Sequence, residues 1–78
     1  MQRYKNLEGH SGVVAWQEAP GARAVKFVNS DVYIYSDEST GRVTVAQMAA
    51  LARAGRGLST FISRYVSERY AQKIEGGG

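Results

Sequence analysis

The sequence predicts an α+β domain, a three-stranded antiparallel meander followed by a two-helix hairpin packed on one sheet face. Three observations carry that expectation. Between Gly12 and Ser36 the apolar residues alternate or cluster as β-branched and aromatic runs; after Gly41 their period lengthens to about 3.6; and Gly55-Arg56-Gly57 breaks the helical half at a joint short enough to make a hairpin.

The first strand is expected over Gly12-Val13-Val14-Ala15-Trp16-Gln17, closed by the turn signal Ala19-Pro20-Gly21. The second, Arg23-Ala24-Val25-Lys26-Phe27-Val28, sets Val25 and Phe27 on one face and Lys26 on the other. Asn29-Ser30 closes a tight hairpin into the third strand, Asp31-Val32-Tyr33-Ile34-Tyr35-Ser36. Asp37 to Gly41 reads as a polar, acidic loop. Thr44 with Gln47 fits a capping box, so a helix is expected from about Val45, with Val45, Met48, Ala49 and Ala52 facing inward and Gly55 ending it in a left-handed conformation. Leu58, Phe61, Ile62, Tyr65, Val66 and Tyr70 share one stripe of a second helix. Arg69 falls inside that stripe, its stem on the core edge and its guanidinium in water.

At 78 residues there is room for one core. The expected organisation is an N-terminal extension over residues 1–10, a single domain over 11–74 and a flexible glycine tail over 75–78. Cysteine is absent, which excludes disulfides, thiolate chemistry and the common zinc sites and suits a cytoplasmic protein. No apolar run approaches membrane-spanning length. His10, the one histidine, lacks partners for a transition-metal site and reads as an exposed turn residue. Asp37-Glu38 has no nucleophile beside it, Ser11, Ser59 and Thr60 have no activating base, and the glycines form neither a P-loop nor a dinucleotide fingerprint. Neither an enzyme nor a cofactor is expected. Gly76-Gly77-Gly78 invites comparison with ubiquitin-like carriers, but a helix precedes the tail where such a carrier has a strand.

Charge is distributed unevenly. Up to Ser39 there are four Lys and Arg against five acids; from Thr40 to Ile74 there are six against Glu68 alone. A basic helical half points to an anionic partner such as RNA or other nucleic acid, with Arg53, Arg56, Arg64 and Lys73 as the contacting cations. Arg53 to Gly57 offers a phosphate two arginines and the free N–H groups beside a helix start, although a plain helix stop explains the same residues. Tyr33 and Tyr35 share a sheet face. They are a platform for base stacking if the helices cover Val32 and Ile34, and core if the helices cover the tyrosines themselves, the reading that a small domain's need for aromatic area favours. Trp16 is expected in the core. The alternative function is a protein-interaction module using a sheet face or edge.

Ser11-Gly12-Val13, Val25-Lys26-Phe27, Tyr33-Ile34-Tyr35 and Gly57-Leu58-Ser59 followed by Phe61-Ile62 and Tyr65 together resemble the KTSC domain, a short bacterial module also found at the C-terminus of some lysyl-tRNA synthetases. The resemblance covers roughly Ser11 to Tyr70 and implies the strand-then-helix order above. RNA binding has been suggested for that family. Two positions depart from it: Asp37 to Gly41 stands where a Val-Pro step is common, and Ser59 where Asn is common.

Overall fold

Five strands rather than three make the sheet. The computed structural model describes residues 1–7, 9 and 11–76. His10, expected at an exposed turn, and Gly77-Gly78, expected in a flexible tail, lie outside the described residues. The strands are β1 (Gln2–Arg3), β2 (Val13–Ala19), β3 (Ala22–Phe27), β4 (Val32–Ser36) and β5 (Gln72–Ile74), antiparallel in the order β1-β2-β3-β4-β5. The helices are α1 (Asp37–Thr40), α2 (Arg42–Ala54) and α3 (Leu58–Phe61), the last running on as a π-helical turn over Ile62–Val66.

The meander of β2, β3 and β4 forms where the alternating runs place it, with Trp16 opposite Val25 and Val25 opposite Tyr33. The expected three-strand, two-helix arrangement is overturned at both ends of the chain. Gln2 pairs with Trp16 and Arg3 with Ala15, so the segment read as an extension adds an edge strand, and Tyr4 behind it is buried at 3% exposure. At the other end the second helix stops at Val66 instead of reaching Tyr70. Ser67 takes φ 36° and donates its N–H to the carbonyl of Ile62 at 2.7 Å, the five-residue spacing of a π turn. The released chain returns as β5 beside β4, with Ala71 N–H bonded to the carbonyl of Ile34 at 2.7 Å. That pairing satisfies backbone groups along the β4 edge that a longer helix would have left to solvent.

The start of the helical half differs as well. Asp37 to Thr40 is a helical turn, not a loop, and the capping box sits on Ser36 and Ser39: Ser39 N–H donates to the Ser36 hydroxyl at 3.0 Å and Ser36 N–H to the Ser39 hydroxyl at 3.1 Å. Helix α2 begins at Arg42 behind Gly41 with no side-chain cap, so Thr44 and Gln47 do not form the expected box.

Because directly opposed residues share a face, Trp16, Val25, Tyr33 and Tyr35 look one way and Ala15, Lys26 and Val32 the other. All the helices pack on the tyrosine face. Val45, Met48, Ala49 and Ala52 of α2 are buried as expected, and Leu58, Ile62 and Val66 close over Trp16, Val25 and Tyr35. Among the described residues no helix is long and apolar enough to cross a membrane.

Candidate nucleic-acid interface

The six residues singled out for nucleic acid do not form one surface. Tyr35 is 1% exposed, and Tyr33 is half-buried with its ring against Phe27 at 5.3 Å and Tyr70 at 4.9 Å, both edge to face. Their rings build the core, the reading that a small domain's need for aromatic area favours, and the stacking-platform alternative is corrected: Tyr35 has no open face on which a base can lie. Burial, then the neighbouring Tyr33 and Tyr70, raise the Tyr35 phenol well above its ordinary value.

Arg53 and Lys73 stand towards opposite edges of the sheet, each beside a carboxylate. Arg53, on the last turn of α2, pairs with Glu18 near the end of β2; Arg23 reaches the same carboxylate at 4.0 Å. Lys73 on β5 lies 3.6 Å from Asp31 and 5.5 Å from the centre of the Tyr33 ring. The Tyr33 hydroxyl first, then Asp31 and Glu75, raise its ammonium above the ordinary lysine value, against an opposing desolvation. Neither cation is placed to share a strand of phosphates with the other.

Arg56 and Arg64 are exposed and lie on the helical side. Arg56 lines a small polar cleft with Tyr4, Asn6, Ser11, Ser59 and Thr60, where the N-terminal segment crosses the joint. That crossing is held by Leu7 N–H to the carbonyl of Gly55 at 2.8 Å and by Leu58 N–H to the Tyr4 hydroxyl at 3.3 Å. The two arginines expected to act together at the joint therefore part, Arg53 towards Glu18 and Arg56 towards the cleft.

Sequence reasoning missed an aromatic site further along the same helix. Tyr65 belongs to the expected inward stripe, yet it is 60% exposed, its ring 5.0 Å from that of Phe61. The wider π turn is the cause. It keeps Leu58, Ile62 and Val66 inward at four-residue steps and swings Tyr65 past the core edge. Phe61 and Tyr65 line a groove with Thr44 and Gln47 of α2 and Arg69, whose carbonyl accepts from the Thr40 hydroxyl at 2.7 Å. A tyrosine next to Arg64 and four residues before Arg69 was the available signal, and the 3.6-residue periodicity hid it. No family model, no curated protein and no solved structure matches this chain.

Proposed function

We propose that the chain is a non-catalytic module that binds single-stranded nucleic acid along its helical side. The observation that carries this reading is Tyr65, 60% exposed beside Phe61, in a groove that also holds Arg69. A base stacks on an exposed ring whatever its identity, while cations beside the ring take the phosphates. Arg56, Arg64 and Arg69 are exposed and fall before, within and after the helix that begins at Leu58, which supports up to three phosphate contacts for a strand lying along it. Glu18 is engaged by Arg53 and Arg23 and Asp31 by Lys73, while Glu68, exposed next to Arg69, is the one acid between Arg56 and Arg69. The resemblance to the KTSC domain points the same way and rests on its motifs alone.

The test is a fluorescence-anisotropy titration of a short single-stranded RNA at salt concentrations between about 50 and 200 mM. Three phosphate contacts give a log–log salt slope of about −2. Tyr65→Ala is expected to cost about 1–3 kcal/mol of affinity, and Arg69→Ala to make the slope shallower by about 0.7. Arg53→Ala and Lys73→Ala should leave both quantities where they were. A salt-independent affinity, or Tyr65→Ala binding like the parent chain, rejects the reading.

A further inference from the structure

The face of the sheet turned away from the helices has the wrong composition for a surface that meets only water. An antiparallel sheet with one solvated side alternates apolar inward with polar outward. Here the register puts twelve strand residues outward, and seven of them are apolar: four alanines together with Val32, Ile34 and Ile74. Ile74 is 47% exposed, and Val14, at the bulge of β2, adds a further exposed methyl surface. The helices pack on the opposite face, and on this one Ala15, Ala22, Ala24, Val32 and Ile34 are half-buried.

Its relief and its charge say what fits there. On β2 and β3, four of the six outward positions are alanine, whereas β4 beside them presents Val32 and Ile34. Two adjacent strands whose outward positions are mostly small, broken by Gln17 and Lys26, lie next to a taller aliphatic row and span about 10 Å by strand spacing, the diameter of a helix with its side chains. The outward charges are Arg3 on β1 and Lys26 on β3, and no outward strand position carries Asp or Glu. Lys26 is half-buried, as a lysine is when its stem lies along a face of the sheet. A second copy of this chain would bring the same two cations against each other with no acid to offset them. A helix with an apolar stripe and flanking carboxylates meets both features of the face.

We propose that this sheet face docks an acidic amphipathic helix of a partner protein, its apolar stripe on the alanine-rich strip of β2 and β3 and its carboxylates on Arg3 and Lys26. The site is separate from the groove at Tyr65, so either assignment stands or falls alone.

The probe is a synthetic helical peptide with leucines at i, i+3, i+4 and i+7 and glutamates beside them, titrated into the isotopically labelled chain and followed through its backbone amide resonances. The expected shifts centre on Ala15, Ala24, Lys26, Val32 and Ile34. A glutamine-for-glutamate peptide and the Lys26→Glu chain should each bind at least about threefold more weakly. Ile34→Ser, facing away from the core, should keep the amide spectrum of a folded chain and lose peptide binding by a similar factor. Shifts confined to the helical side, equal affinity for the glutamate and glutamine peptides, or the absence of binding would overturn the proposal. Concentration-dependent dimerisation of the free chain through this face would overturn it too, in favour of a second copy.

Discussion

Tyr35 joins the sheet to the helices and carries a titratable group into the core. Its phenol is held above the ordinary tyrosine value of 10.0 first by burial and then by Tyr33 and Tyr70, so the folded chain keeps that proton at a pH where the unfolded chain releases it. A raised folded-state value contributes stability that is complete below the unfolded value and is lost as pH climbs through and beyond it. The urea midpoint is therefore expected to hold level in this respect up to about pH 9 and to fall above about pH 10. Tyr35→Phe removes the group and should make the alkaline limb shallower, measured by urea melts at several pH values. An alkaline limb of the same steepness in the variant would assign the effect elsewhere. The same residue shows how far the site was legible: spacing put Tyr33 and Tyr35 on one face and the need for aromatic area favoured burying it, and the packing of α2 and the following helix on that face decides it.

At the level of elements, the joint after α2 is the place where backbone conformation and packing act together. Gly55 sits at φ 77° as the C-cap, its N–H bonded to the carbonyl of Leu51, and a Cβ there would lie 2.6 Å from the Cβ of Lys5. Gly57 has the same φ of 77°, but its nearest neighbour to an added Cβ is a Leu51 methyl at 3.6 Å. Gly57→Ala should thus carry only the left-handed conformational cost of about 1–2 kcal/mol. Gly55→Ala should cost more, because the N-terminal segment must also move; paired thermal melts measure the difference. The left-handed stop at Gly55 and the period-two strands were readable because each follows from local sterics. The π turn was not, since Leu58, Ile62 and Val66 keep one face under either winding. Nor was β5, because Gln72-Lys73-Ile74 carries no strand pattern and pairs only once β4 offers an open edge.

Across the whole molecule, the two ends of the chain close the sheet on either side of the meander, and several long-range bonds tie them in. Tyr4 N–H donates to the carbonyl of Val14 at 3.0 Å, and Gly76 N–H to the carboxylate of Asp31 at 2.8 Å. The periodicity treats Tyr65 and Tyr70 alike, and the fold separates them. Had the second helix run on to Tyr70 in a 3.6-residue register, Tyr65 would face the core. With the helix ending at Val66, Tyr65 is 60% exposed while Tyr70 is half-buried with its ring edge-on to Tyr33. Tyr70→Ala is then expected to destabilise the fold by about 1–3 kcal/mol, less than a fully buried aromatic loses because part of the ring is in water. Tyr65→Ala should stay within about 0.5 kcal/mol of the parent, as surface substitutions do. Chemical denaturation of the two variants measures both numbers, and the reverse order would mean that the chain continues as a helix and β5 does not form.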